Sequence, residues 1–176
     1  KKEVIERCQR LAYTLDYNEL RFIEANIANF EPSGTIDLMI SLHACDTATD
    51  AALAKAISHQ ARVILCVPCC QHELMHQVKQ EALHTLLKQG ILKERFSALA
   101  TDAARAQLLE VCGYQPQVME FIDLEHTPKN LLIRALRRAP LSPERRLMAW
   151  QTYVRFKQHL HIDPTLERIL QGQLPA

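Results

Sequence analysis

The chain has 176 residues, of which 48% are hydrophobic and 23% charged, values that exclude general disorder and allow one compact domain with a real core. Its longest apolar run, Val63–Cys70, is far shorter than the roughly 18 residues of a membrane span, so we expect no membrane partner. The net charge of +1 hides an asymmetry: residues 1–133 carry 13 Lys and Arg against 17 Asp and Glu, whereas residues 134–176 carry 8 against 3. The C-terminal end is therefore basic.

Hydrophobic periodicity predicts helices that alternate with strands. In chain order we expect a helix over 2–15, strands over 20–23 and 36–42, a helix over 47–58 capped by Thr47 or Thr49, a strand over 62–67, helices over 73–88 and 101–112, strands over 118–124 and 131–136, a helix over 143–161 and a short last helix after Asp163-Pro164. The almost uninterrupted apolar run over 62–67, in which only Arg62 is polar, predicts a strand that is buried on both faces. The short connection over 125–130 predicts an antiparallel hairpin. The order as a whole indicates a doubly wound α/β fold.

Glycine and cysteine usage narrows the function further. The four glycines are widely separated, so these 176 residues contain no Gly-rich loop of the kind that cradles phosphates or nucleotides. The six cysteines lack the dense, regular spacing of a disulfide scaffold. We therefore expect reduced thiols and a cytoplasmic protein.

Two consecutive predicted strands end in side chains that can do chemistry. The first ends in His43-Ala44-Cys45-Asp46 and the second in Pro68-Cys69-Cys70-Gln71-His72. Open α/β sheets bind their ligands beyond the carboxyl ends of the strands. We expect both segments to face one crevice.

Together with their neighbouring residues, these two segments run from Ser41 to Asp50 and from Val67 to Leu74. In this form they resemble a known group of enzymes. They look like the class I S-adenosylmethionine-dependent methyltransferases of the methyltransferase-like family with a Cys-Cys-x-His motif. They are also similar to the ribose methyltransferases of the tRNA acceptor stem. The segment 126–134 resembles the terminal antiparallel strand pair of that fold, so the likeness covers about residues 1–138.

The resemblance implies an α/β fold with a partial Rossmann-like methyltransferase sheet. Residues 20–23, 36–42 and 62–67 would be its third, fourth and fifth strands and the hairpin its last two, with residues 139–176 as a basic helical extension. The first two strands, which carry the Gly-rich half of the S-adenosylmethionine site, would lie in a missing N-terminal part of the same protein. We therefore expect this segment alone to be inactive. We also expect an uncovered strand edge beside Ile36–Leu42 that could pair two copies into a dimer.

The resemblance also implies roles for single residues, which fall into three groups. Expected catalytic residues are His43, Asp46 and His72; expected cofactor-binding residues are Asn26, His43 and Ala44; expected substrate-binding residues are Cys45, Cys69, Cys70, Arg137 and Arg138. Methyl transfer needs positioning of the two reactants and a base where the acceptor loses a proton. A histidine and a carboxylate at a strand end suit both tasks.

The cysteines admit other readings. Zinc could bind to ligands drawn from Cys66, Cys69, Cys70, His72 and Cys45, although adjacent cysteines are unusual ligands in a closed tetrahedral site. A catalytic thiolate would require a lowered pKa. Our expectation is that the thiols form a pocket wall and that the chain has no metal site.

The methyl acceptor also stays open. The basic end and the tRNA-methylating relatives favour RNA, and a protein side chain is the main competitor. The alternative from another class is a non-catalytic interaction module that keeps the fold without the cofactor half.

Overall fold

The computed structural model describes residues 2–42, 44–122 and 130–175, which form two compact units divided between Glu31 and Pro32. Within these ranges, no helix is both long enough and apolar enough to cross a bilayer.

The first unit consists of helix α1, Lys2–Thr14, and a coil that contains one short 3-10 helix, Ile27–Asn29. The helix confirms the prediction for 2–15, but the strand expected at 20–23 is wrong. Instead of a strand partner, the side chain of Gln9 holds this stretch: its amide nitrogen donates to the Leu20 carbonyl at 3.3 Å, and its oxygen accepts from the Phe22 N–H at 3.4 Å. A β-strand requires a neighbouring strand with which to form a ladder of hydrogen bonds, and no strand among the described residues forms one with 20–23.

The second unit contains a four-stranded sheet. Its strands are β1, Leu38–Leu42, β2, Val63–Val67, β3, Tyr114–Glu120, and β4, Leu131–Arg137, in the order β1-β2-β4-β3. Strands β1 and β2 are parallel, whereas β4 runs antiparallel to both β2 and β3. The mixed α/β class and the antiparallel terminal pair are therefore confirmed, and β1 lies at the edge of this sheet.

Helices cover one face of the sheet. They are α2, Thr47–Ser58, α4, Gly90–Val111, α5, Pro143–Leu160, and α6, Thr165–Leu170, and the short α3, His84–Leu87, precedes α4. The core joins Ile64 and Ile133 of the sheet to Leu53, Leu108 and Tyr153 of the helices.

The opposite face of the second unit's sheet is open at its β1 edge. Leu38, Ile40 and Leu42 alternate with the inward-facing residues of the strand and remain 49%, 55% and 61% exposed. Val63 and Leu65 beside them are only half-buried. The expectations of helices on both faces and of a fully buried β2 are therefore wrong for this unit.

Three further boundaries differ from the sequence prediction. The helix expected over 73–88 is broken into two 3-10 turns and α3, because the Lys79 N–H bonds to the Leu160 carbonyl at the end of α5, at 3.2 Å, and Gln80 is extended. The helix expected over 101–112 begins eleven residues earlier, at Gly90. The strand expected over 118–124 begins at Tyr114 and ends at Glu120, while residues 123–129 lie outside the described ranges.

The basic C-terminal segment contributes to the core. Ser142 is the N-cap residue of α5. Its side-chain oxygen accepts from the Arg145 N–H at 3.3 Å, as the Ser-Pro signal predicts. Tyr153, Leu166 and Leu170 belong to the same core cluster as the sheet. These apolar side chains of α5 and α6 thus pack in the core.

The core contacts of α4 make a direct stability prediction. Leu108 is fully buried, whereas Leu92 of the same helix is 46% exposed. We expect Leu108→Ala to lower the free energy of unfolding by about 2–5 kcal/mol, because it removes buried methyl groups and leaves a cavity. Leu92→Ala should change it by less than about 0.5 kcal/mol. Urea unfolding of both variants measures the difference, and equal losses would contradict the assignment of this core.

Candidate functional site

The site is built from the two chain segments that follow β1 and β2. Because these strands are parallel and paired from Leu38↔Val63 to Leu42↔Val67, the segments that follow them leave the sheet at the same edge. The first segment holds Ala44, Cys45 and Asp46, and the second runs from Pro68 to Glu73. The expected meeting of these two segments is what the structure shows, while His43 lies outside the described residues.

Asp46 ties the two segments together. Its carboxylate oxygen Oδ1 accepts from the backbone N–H groups of His72 and Glu73, each at 3.1 Å. Its own N–H donates to the Cys70 carbonyl at 3.0 Å. The carboxylate expected to be catalytic therefore also fixes the geometry of both segments.

The backbone of Asp46 is in an unusual conformation. Its φ is 51° and its ψ is −123°, in the positive-φ region that side chains other than glycine rarely adopt. Such a conformation persists only where surrounding bonds determine it, and it is concentrated at functional sites. Here the hydrogen bonds to Cys70, His72 and Glu73 supply that constraint.

A buried arginine stabilises this arrangement through hydrogen bonds. Arg105 of α4 is 1% exposed; its Nε and Nη2 donate to the two carboxylate oxygens of Asp50 at 2.9 and 3.0 Å, and its Nη1 to Asp102 at 3.1 Å. Nη2 also donates to the Asp46 carbonyl at 2.9 Å. Burial disfavours the charge of Arg105, but the hydrogen bonds and charges of Asp50 and Asp102 outweigh it and raise its pKa above the ordinary value.

Gln71 extends the network to a cavity. Its amide nitrogen donates to Asp102 at 2.8 Å, and because a carboxylate only accepts, the amide oxygen must face the other way. That oxygen is buried and has no hydrogen-bond partner within the described part of the chain. Gln71 lines a cavity of about 470 Å³ together with Pro68, Asp102 and Asn130. The cavity opens where β2 ends and β4 begins.

Three cysteines converge beside Asp46. The sulfur atoms of Cys45, Cys69 and Cys70 all lie within 4.8 Å of one another, and those of Cys45 and Cys69 are 3.4 Å apart. Desolvation and the neighbouring thiols raise the pKa of Cys69 to about 12, which is the opposite of what a nucleophilic thiolate needs.

Cys66 does not join this cluster. It is fully buried in the core among sheet and helix residues, and desolvation raises the pKa of its thiol to about 12. Of the five zinc ligands considered from the sequence, the structure therefore brings together Cys45, Cys69 and Cys70, but not Cys66 or His72.

The remaining cofactor-side and catalytic residues are placed separately. Asn26 lies in the first unit, exposed, where its side-chain oxygen accepts from the Ala28 N–H at 3.0 Å and begins a 3-10 helix. Ala44 is half-buried, and its carbonyl accepts from the hydroxyl of Thr49. Asp46, rather than Thr47 or Thr49, occupies the position that precedes α2. The side chain of His72 is exposed.

Arg137 and Arg138 lie at the other end of the sheet. The Arg137 N–H donates to the Arg62 carbonyl at 2.9 Å, before β2 begins, whereas Cys69 follows its end. Six residues, 63–68, separate Arg62 from Cys69, five of them in β2, and they span about 20 Å. The arginines instead bond Gln60 and Gln115, each at 2.8 Å. These arginines therefore lie at the opposite end of β2 from Cys69, and the substrate-binding role expected for them from the sequence stays a prediction.

The sequence reasoning missed the residues that hold the site together. Asp50, Asp102, Arg105 and Gln71 carry most of its buried polar contacts. A signal existed for one pair: Asp102 and Arg105 are three apart among apolar helix positions, a spacing that places both on one buried face. Their partner Asp50 and the role of Gln71 depend on tertiary contacts.

Comparison with known proteins agrees with this architecture. Residues 1–77 match the model of a family described as a methyltransferase domain. The match includes β1, α2, β2 and both segments of the site. The match supports the interpretation that this chain contains part of a methyltransferase domain.

The chain also matches curated relatives, at low sequence identity. The chain is 25% identical over 152 residues to the glutathione S-transferase C-terminal domain-containing proteins of Homo sapiens and Macaca fascicularis. The aligned region is 72% of this chain and 24% of each relative, so the chain spans about a quarter of their length. No solved structure gives a significant match.

The buried arginine network makes the second prediction. We expect Arg105→Met to lower the free energy of unfolding by about 3–5 kcal/mol, because it leaves the carboxylates of Asp50 and Asp102 buried without their cation. The matched control is Arg62→Met, which removes an exposed pair with Asp37 at 3.2 Å and should cost less than about 1 kcal/mol. Thermal and urea unfolding compare the two variants. Equal stabilities would show that the buried network does not support the site.

Proposed function

We propose that this chain provides the acceptor side of a class I S-adenosylmethionine-dependent methyltransferase. The observation that carries the proposal is the convergence of Cys45 and Asp46 with the segment Pro68–Glu73 at the carboxyl ends of two parallel strands. Open α/β sheets bind ligands at this edge. The methyltransferase-domain match over residues 1–77 and the antiparallel pair β3–β4 support the same reading.

The residues at the carboxyl ends of β1 and β2 fit one side of a cofactor site. In the fold that the sequence resembles, the strand with the Gly-rich turn lies beside the strand that β1 represents. The position of β1 at the sheet edge, with Leu38, Ile40 and Leu42 exposed, is consistent with such a neighbour. Neither positive-φ glycine, Gly34 or Gly113, connects a strand to a following helix, so the described residues supply no such turn themselves.

S-adenosylmethionine, when bound, supplies an electrophilic methyl group that moves to the acceptor as the bond to sulfur breaks. This chain's residues would orient the acceptor and remove its proton. We propose Asp46, with His43 or His72, as the base, because a carboxylate held rigidly by backbone donors keeps a fixed position at the reacting edge. Ala44 would lie on the cofactor side, and the cofactor-binding roles expected from the sequence for His43 and Asn26 stay predictions.

The cavity beside Gln71 is the proposed acceptor pocket. Gln71 and Asn130 line it with amide side chains, a residue type that can both donate to and accept from polar groups of a substrate. Pro68 and the thiols of Cys69 and Cys70 follow β2 at the same edge.

RNA is the proposed acceptor class, and a protein side chain is the competitor. Arg137 and Arg138 are about 20 Å from the site by strand length, so they contribute to acceptor binding only if the acceptor is extended. A nucleic acid strand meets that condition and carries the matching charge. The expected cytoplasmic location stays a prediction.

Asp46 separates a catalytic role from a purely positional one. An asparagine retains the oxygen that accepts from the His72 and Glu73 N–H groups, but it is no base. In the complete gene product, Asp46→Asn should keep its stability and lose methyl transfer by about 10²–10⁴-fold, measured with radiolabelled S-adenosylmethionine. Asp46→Ala should lose both stability and transfer.

The matched control is Asp37→Asn, which changes an exposed carboxylate beyond the other end of β1 and should leave both quantities unchanged. Full activity in Asp46→Asn would remove Asp46 from the chemistry. Failure of the complete gene product to bind S-adenosylmethionine would favour the non-catalytic interaction module.

The acceptor proposal predicts a salt effect. Replacing Arg137 and Arg138 with alanine should weaken RNA binding and lower the slope of log affinity against log salt by about one unit for each phosphate that is no longer neutralised. S-adenosylmethionine affinity should stay constant. The control Arg7→Ala/Arg10→Ala changes the charge equally in the first unit. Labelled methyl groups found only in protein would reject RNA as the acceptor.

A further inference from the structure

We propose that Cys45, Cys69 and Cys70 bind one zinc ion through three thiolates. Their sulfur atoms lie within 4.8 Å of one another, and the closest pair, Cys45 and Cys69, is at 3.4 Å. In a tetrahedral zinc site with bonds of about 2.3 Å, the sulfurs are about 3.8 Å apart. The closest pair is slightly nearer than that and no pair is farther apart than 4.8 Å, so the three sulfurs lie close to the spacing that zinc requires.

The ligands come from two different segments. Cys45 follows β1, while Cys69 and Cys70 follow β2, so a zinc ion would join the same two segments that Asp46 joins by hydrogen bonds. Asp46 follows Cys45 directly, and its N–H donates to the Cys70 carbonyl at 3.0 Å. This hydrogen bond holds the backbone of one ligand segment against the other before any metal binds.

A bound zinc ion would itself convert the three thiols to thiolates, because cysteine ligands lose their protons when they bind the metal. Cys45 lies just before the N-terminus of α2, which begins at Thr47 and runs for 12 residues, and the partial positive charge of a helix N-terminus stabilises nearby anions. Cys45 is exposed and the other two cysteines are half-buried. A fourth coordination position would therefore face solvent, an arrangement typical of zinc sites that keep one position for water or substrate.

Soft thiolate ligands select zinc over the hard cations magnesium and calcium. Adjacent cysteines are unusual in closed zinc knuckles, which was the reason to expect a plain pocket wall from the sequence. The third sulfur, which comes from 24 residues earlier in the chain, completes a set that no local spacing reveals. This inference is independent of the proposed methyl transfer.

The test is the zinc content of the 176-residue chain, purified under reducing conditions without a histidine tag. We expect about one zinc per chain by elemental analysis. Each of Cys45→Ser, Cys69→Ser and Cys70→Ser should weaken zinc binding by more than about tenfold, because even the loss of a residue behind a ligand commonly costs that much. Cys8→Ser and Cys112→Ser, which change half-buried cysteines outside the cluster, should retain zinc.

Cobalt(II) provides a second readout that counts the ligands. The apo chain should develop thiolate-to-cobalt charge-transfer absorption, and each single serine variant should lose about a third of its intensity if three equivalent thiolates bind. Circular dichroism verifies that the variants fold; Cys45, being exposed, tolerates serine without a packing cost.

Three results would overturn the inference. These are zinc far below one per chain, zinc retained in the triple serine variant, and a Cys45–Cys69 disulfide that persists in the reduced preparation by intact mass. Zinc content and methyl transfer are measured separately. A methyltransferase without zinc would reject only this inference, and a zinc-loaded chain without activity would reject only the proposed function.

Discussion

The buried guanidinium of Arg105 is the interaction on which the site depends. It joins Asp50 of α2, Asp102 of α4 and the carbonyl of Asp46 within a part of the protein that water does not reach. A buried ion pair adds little net stability over an apolar core, but removing one partner is costly, because a charge is left without compensation. The network therefore acts mainly to specify one arrangement of α2, α4 and the segment after β1.

That arrangement explains the strained backbone of Asp46. The carbonyl of this residue is held by Arg105, and its N–H and carboxylate are held by the segment after β2. Each bond alone is worth about 1 kcal/mol, or somewhat more where a charge takes part, whereas together they offset a positive φ that costs about 1–3 kcal/mol. The strain is thus an outcome of holding two segments in register, and the thiols converge for the same reason.

The distribution of charge along the sheet separates two surfaces. One end carries Asp46 and the thiol cluster, and the other end carries Arg137 and Arg138 about 20 Å away. A small acceptor at the thiol end would not contact those arginines. The apolar face at the β1 edge, where Leu38, Ile40 and Leu42 are exposed, is a third surface.

The regular elements whose patterns are local could be predicted from the amino-acid sequence. The helices at 2–14, 47–58 and 143–160 have clear periodicity or a capping signal; β2 is a continuous apolar run, and β1 is an apolar run that only Ser41 interrupts. Local pattern failed where a tertiary contact competes with it: Leu20–Ile23 is apolar enough for a strand but pairs with none of the described strands, and the bond from Lys79 to Leu160 breaks a helix.

The site followed the same division. The sequence identified the two strand ends and the residues on them, because parallel neighbours must end at one edge of a sheet. Only the tertiary structure decided which polar groups meet there. Arg105 reaches Asp50 across 55 residues and Gln71 reaches Asp102 across 31, and the direction of β4 moved Arg137 to the far end. Such contacts depend on how helices and strands are placed in space, and no short-range spacing encodes that.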